Sequence, residues 1–192
     1  MKIRFAEISD APLLLNIYSQ YIETAITFEY SLPTKAEFEK RIENIIETYP
    51  YLVCEEDGKI FGYAYAHKFM DRAAYQWNAE LSIYLDKSHV SKGLGKKLSS
   101  VLIEILKEQG VRTVYSLITS PNIKSEKLHL SLGFKIVGMY HRTGFKNGGW
   151  HDVAIFEKKI GKNDNNPTPV ISIKKIDFEI IEKIINEILS DK

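Results

Sequence analysis

Residues 2–6 (KIRFA) alternate polar and apolar positions and predict a short first strand. Ser9-Asp10 then offers an N-cap ahead of Pro12, and Leu14, Ile17, Tyr18 and Tyr21 recur at helical spacing. A second helix opens on the capping-box pattern of Thr34 and Glu37 and turns Phe38, Ile42, Ile45 and Ile46 inward. Strand-like runs at 51–56 and 60–66 flank Asp57-Gly58, a strong hairpin signal. Another strand spans 79–85 and ends at a polar, glycine-bearing loop. A third helix follows, with Leu98, Val101, Leu102, Ile105 and Leu106 on one face and Gly110 past its end. Residues 112–118 are again strand-like, a short helix starts near Asn122 and stops near Gly133, and two strands at 134–139 and 151–160 complete the pattern.

This order predicts an α/β (mixed α+β) fold: a mixed sheet with helices on both faces, within one domain over residues 1–161. Composition breaks at 162–169 (KNDNNPTP), a linker by its Asn and Pro content. Beyond it, 170–173 reads as a small strand, and Phe178, Ile181, Ile184, Ile185 and Ile188 form an apolar helical stripe. Residues 162–192 are therefore expected to be a docking element outside the main unit, covering either its own body or a partner subunit.

The balance of 26 basic and 25 acidic side chains gives no basic stripe, which argues against nucleic acid as a partner. No apolar run approaches the ~20 residues of a membrane span, so no membrane partner is expected. The opening MKIRFAEISD has no apolar signal-peptide core, and the one cysteine, Cys54, has no internal partner. Together these predict a cytoplasmic protein. The five histidines lack metal-ligand spacing, so no metal is expected.

The chemistry concentrates in Ser91-Lys92-Gly93-Leu94-Gly95-Lys96, which joins a strand to a helix. Glycines there let backbone N–H groups approach an anion at the helix N-terminus. The P-loop pattern fails because Lys97 follows Lys96, and the dinucleotide pattern fails because its third glycine position is Leu98. A G-x-G pair alone is equally compatible with a plain turn before a helix. Its neighbours extend the pattern: Asn122, the segment Ser125-Glu126-Lys127-Leu128-His129, and Gly133-Phe134 follow in order. So do Thr27-Phe28-Glu29, residues 62–66 (GYAYA), residues 72–80 (RAAYQWNAE) and residues 144–153 (GFKNGGWHDV). Over about residues 1–160 these resemble the GNAT superfamily of acetyl-coenzyme A-dependent N-acetyltransferases, within its phosphinothricin acetyltransferase-like branch.

The resemblance implies a GNAT fold, with a central, largely antiparallel mixed sheet, and acetyl-CoA as co-substrate. It makes Glu80 the general base and His129 an acid or an orienting group for the amine. The coenzyme would be held by Ile83, Tyr84, Leu85, Ser91, Lys92, Gly93, Leu94, Gly95, Lys96, Asn122 and Ser125. Arg72 and Tyr75 would hold the acidic group of a small amino acid or amino acid analogue. Val90 stands where the family carries Arg or Gln, which removes one side-chain contact to the pyrophosphate. A homodimer is also implied. The rival functions are acetylation of a protein or peptide amine, and a non-catalytic acyl-coenzyme A sensor.

Overall fold

A computed structural model describes residues 1–190. The chain runs through β1 (Lys2–Phe5), α1 (Ala11–Ile22), α2 (Lys35–Ile46), β2 (Tyr51–Glu56), β3 (Lys59–Lys68) and β4 (Asn78–Leu85). It continues with α3 (Leu94–Glu108), β5 (Thr113–Ser120), α4 (Ile123–Ser131), β6 (Lys135–Lys146), β7 (Gly149–Lys159) and α5 (Phe178–Ser190). The strands form one seven-stranded sheet in the order β1-β2-β3-β4-β5-β7-β6. Every neighbouring pair is antiparallel except β4 and β5, which run parallel. The fold expected from the sequence is the one observed.

Alternation along the strands sorts the interior into two layers. Leu52, Ala64, Leu81, Val114 and Phe156 face α3, whose Leu98, Val101, Leu102, Ile105 and Leu106 are buried against them. Tyr51, Val53 and Tyr63 face the other way and pack with Leu14, Ile17 and Tyr18 of α1 and Phe38 and Ile42 of α2. Each buried side chain of this kind is worth roughly 1.5–3 kcal/mol, so the two layers hold the sheet from both sides.

Local signals mostly act as the sequence predicts. Thr34 and Glu37 form the reciprocal capping box of α2. Asp57 and Gly58 turn the β2–β3 hairpin with φ of 51° and 72°. Asp10 departs from expectation. It precedes α1, but its carboxylate caps no helical N–H; it accepts from the Glu7 N–H at 2.8 Å and from the Arg4 guanidinium at 2.7 and 2.9 Å.

Strand β6 runs on past the expected end at residue 139, and β7 begins before the expected start at residue 151. The two strands extend toward a tight Asn147-Gly148 turn, both residues at positive φ. The strand expected at 170–173 is not formed, because this segment lies beside loop ends and no strand edge. The Ile171 N–H donates to the Gln109 carbonyl and the Ile173 N–H to the Thr48 carbonyl, each at 3.0 Å. A short helical turn, Ile173–Lys175, takes its place. Helix α5 then lies on α3: Ile181 is 3% exposed, and Ile184, Ile185, Ile188 and Leu189 pack partly buried against the same layer. Of the predicted extension, residues 191 and 192 lie outside the described residues.

Candidate active site

The parallel ladder between β4 and β5 is short. It pairs Asn78 with Thr113, Ala79 with Val114 and Glu80 with Tyr115. Beyond that point β4 stays with β3, and β5 stays with β7. The sheet therefore opens into a V whose vertex is at Glu80. Backbone groups of Leu81–Leu85 that point away from β3 have no strand partner. A cavity of about 780 Å³ fills the opening.

The cavity is lined from both faces of the sheet. Tyr21, Ile26 and Glu80 come from the α1 side; Leu81, Ser116 and His129 come from the α3–α4 side. Of the residues singled out in the sequence, Glu80, Ile83, Tyr84, Leu85, Ser91, Gly93, Gly95 and Lys96 meet here. Asn122, Ser125 and His129 join them from α4 and its cap. Lys92 is exposed outside the lining. The Leu94 side chain is buried in the core, so only its backbone is available to a ligand. Arg72 and Tyr75 also fall outside, in the exposed turn before β4. The Arg72 guanidinium has no ion pair or hydrogen bond among the described residues.

The glycine loop is clamped by α1. The Gln20 amide donates to Asp86 at 2.9 Å and accepts from the Lys87 N–H at 2.9 Å. The Tyr21 hydroxyl donates to the Leu85 carbonyl. Hydrogen bonds from the Ser88 hydroxyl and the Gln20 amide hold the Asp86 carboxyl down at about 2. Past this anchor, Ser91 and Gly93 both adopt left-handed backbone, with φ of 65° and 82°. That turns the chain sharply into α3, whose N-terminus has no side-chain cap. The first N–H groups of a helix lack intrahelical partners, so this end suits an anion. At Gly95 a Cβ would come within 3.1 Å of Leu128 Cδ2 and 3.4 Å of Leu85 Cδ1, so the close approach depends on glycine. Val90 lines the cavity at the entry to this loop.

Two titratable groups stand at the vertex. Burial pushes the Glu80 carboxyl above its ordinary value; His67, its cross-strand neighbour with Nε2 at 4.0 Å, pulls the other way. His129 is 4% exposed, between the rings of Phe134 and Phe156. Burial lowers its pKa, and its Nδ1 lies 2.8 Å from the Ser125 carbonyl. A carbonyl only accepts, so Nδ1 carries the proton and Nε2 is the acceptor of a neutral ring. Asn122 caps α4 by accepting the Ser125 N–H at 3.3 Å, which leaves its amide NH₂ to donate.

Residues 3–155 match the model of the acetyltransferase (GNAT) domain. The chain belongs to the GNAT acetyltransferase family. It is 35% identical over 159 residues to a phosphinothricin N-acetyltransferase of Streptomyces viridochromogenes, covering 82% of this chain and 87% of that relative. An L-methionine sulfoximine/L-methionine sulfone acetyltransferase of Salmonella typhimurium is 30% identical, covering 85% of this chain and 96% of the relative. Among solved structures, a GNAT superfamily phosphinothricin acetyltransferase of Sinorhizobium meliloti in complex with AcCoA superposes with a TM-score of 0.84. It is 34% identical and covers 88% of this chain and 94% of its own. The V-shaped opening, the glycine loop and the helix behind it are thus parts of a GNAT acetyltransferase. Among the described residues no helix is long and apolar enough to cross a membrane.

Proposed function

We propose that this GNAT enzyme transfers the acetyl group of acetyl-coenzyme A to the α-amine of a small amino acid or amino acid analogue. The observation that carries the reading is the cleft: an unpaired strand edge and a glycine-opened helix on one side, and a buried carboxylate at the vertex. When bound, acetyl-coenzyme A supplies an acyl thioester. The N–H groups of Gly93 to Lys96, with the Lys96 ammonium, hold its pyrophosphate. The free edge of Ile83, Tyr84 and Leu85 pairs with the extended arm, and Asn122 and Ser125 contact it from α4. Ser91 shapes the loop, and Lys92 and Leu94 add charge and backbone beside it.

Glu80 takes the proton from the substrate ammonium, which needs the carboxylate form. Its raised pKa makes it a stronger base and shifts the acidic limb of the pH–rate profile upward. For His129, the bond of Nδ1 to Ser125 supports orienting a donor over protonating the sulfur, because the neutral ring has no second proton to give. Arg72 pairs with the substrate's acid group, and Tyr75 flanks it. Exposure of that turn favours a second reading, a peptide amine, which would not need an enclosed pocket. A homodimer belongs to the proposal too. Ile136, Val137 and Tyr140 on edge strand β6 are 53%, 52% and 48% exposed, apolar side chains along an open sheet edge that a second copy would cover. The enzyme would act in the cytoplasm, where the buried thiol of Cys54 stays reduced.

The test is Glu80→Gln, assayed by coenzyme A release with amino acids, simple amines and short peptides. The expected loss in kcat is about 10²–10⁴-fold with acetyl-coenzyme A binding retained. The acidic limb of the pH profile should also vanish. Rates within a few-fold of the unmodified chain would remove Glu80 from the mechanism, and a preference for peptides over free amino acids would select the second reading.

A further inference from the structure

Three buried side-chain polar atoms lack a hydrogen-bond partner among the described residues: Gln109 Oε1, Arg112 Nε and Ser116 Oγ. The first two belong to side chains that are anchored elsewhere. Gln109 Nε2 donates to the carbonyls of Thr48 and Ile171, each at 2.7 Å. Arg112 Nη2 lies 3.5 Å from an Asp164 carboxylate oxygen. Ser116 has no second polar atom to fall back on and is 2% exposed. It is also the member of the three that lines the cleft.

Its position is specific. Ser116 is the first residue of β5 after the ladder with β4 ends at Tyr115. Val114 and Ile118, two places to either side, are buried on the α3 face, so the Ser116 side chain shares that face. Its cross-strand partner is Phe156, whose ring centroid is 5.6 Å from that of His129. Glu80, paired with Tyr115, faces the opposite side of the sheet. The hydroxyl therefore stands at the vertex on the side of the glycine loop, across the sheet from the base. Leaving a buried hydroxyl unpaired forfeits the hydrogen bonds it had in water, a loss that alanine at this place would not incur. In the wall of a ligand cleft, such a group can find its missing partner in the ligand.

We propose that the Ser116 hydroxyl donates a hydrogen bond to the sulfur end of the acyl thioester and supports the charge that gathers there as the carbon–sulfur bond breaks. This inference rests on the acetyl-transfer reading above. It follows from the donor inventory: neutral His129 offers this side of the vertex only an acceptor, whereas Ser116 brings an O–H. The serine keeps its proton. The amine, already freed of its ammonium proton by Glu80, bonds through nitrogen to the acyl carbon; the sulfur departs with the bonding electron pair, and the second N–H proton passes through water to the sulfur, which leaves as the thiol.

The experiment compares Ser116→Ala with the unmodified chain in three ways: melting without ligand, calorimetric binding of coenzyme A and of desulfo-coenzyme A, and kcat. The alanine variant should melt at the same temperature or higher, since an unpaired hydroxyl is gone. It should bind coenzyme A more weakly while binding desulfo-coenzyme A unchanged, and kcat should fall about 10–100-fold. Equal losses for both coenzymes, a lower melting temperature without ligand, or a kcat within threefold would each overturn the assignment. The two binding arms need no turnover, so an unmodified chain that acetylates no amine would refute the enzymatic reading and leave the serine's contact separately decided.

Discussion

Helix α5 offers a prediction whose size follows from its packing. Ile181 is 3% exposed and belongs to the same buried cluster as Leu98, Val101 and Leu102 of α3, whereas Phe178, at the start of the helix, is 61% exposed. Truncating a buried isoleucine to alanine costs about 2–5 kcal/mol, combining lost transfer energy with the cavity left behind. For a chain of this length each kcal/mol moves the melting temperature by roughly 2–4 °C. Ile181→Ala should therefore lower Tm by about 4–20 °C, while Phe178→Ala should move it by no more than about 2 °C. Scanning calorimetry on both variants measures the contrast, and kcat at 25 °C should stay within a few-fold in each. The tail does more than cover α3. The Trp77 indole donates to the Thr168 carbonyl at 2.8 Å, Ser172 to the Glu47 carbonyl at 2.7 Å, and the Lys97 ammonium to the Leu189 carbonyl at 3.2 Å. Lys97 sits in the first turn of α3, so removal of residues 162–192 should weaken acetyl-coenzyme A binding as well as lower Tm. If Ile181→Ala and Phe178→Ala melt together at the temperature of the unmodified chain, the docked arrangement of α5 is wrong.

Three further outcomes are expected. Gly95→Val places carbon against Leu128 and Leu85, so acetyl-coenzyme A affinity by calorimetry should drop more than about tenfold in a folded protein, and an unchanged Kd would break the loop assignment. The Asp86 carboxyl is held at about 2, below its unfolded value, so its contribution to anchoring the loop is complete above the ordinary aspartate range. That contribution is lost as pH falls through the folded value; the Ser88 amide resonance should titrate with a midpoint near 2, and a midpoint near 4 would contradict the hydrogen-bonded anchor. Arg72→Ala should raise KM for amino acids far more than for simple amines, whereas equal losses would assign the side chain to supporting its turn.

Most elements were legible because each has a buried face. The stripe on α3 and the alternation through β2 and β3 are set by the two layers that they fill. The full length of strand β6 is not legible, for the opposite reason: at the sheet edge it buries almost nothing, and Ile136, Val137, Tyr140 and Phe145 are all exposed, so no alternation marks its length. Asn147-Gly148 is itself a hairpin signal, and the chain turns there with both residues at positive φ. At 170–173 an apolar run suggested a strand, but its backbone bonds to loop carbonyls at Thr48 and Gln109, partners that no local pattern announces. At the site, Glu80, His129 and the glycines could be named from motif order. The parting of β4 from β5 could not, since it depends on which strands each keeps as partners. Ser116 was invisible for the same reason: in sequence it is a serine inside a β-rich run, and only burial beside the cleft gives its hydroxyl meaning.

The lining of the cleft from both faces of the sheet has a kinetic consequence. On the proposed reading, a carboxylate on the α1 side and a glycine loop on the α3 side would give the two substrates separate ways in, so that neither would have to leave before the other arrives. Initial velocities measured against one substrate at several fixed levels of the other should give reciprocal plots that intersect. Parallel lines would mean that the acetyl group rests on the protein between two visits. Where the lines intersect, desulfo-coenzyme A should act as a competitive inhibitor against acetyl-coenzyme A and leave the amine's site open, so that a dead-end complex of inhibitor and amine can form. Such a complex would be a practical route to seeing both halves of the reaction held in one crystal.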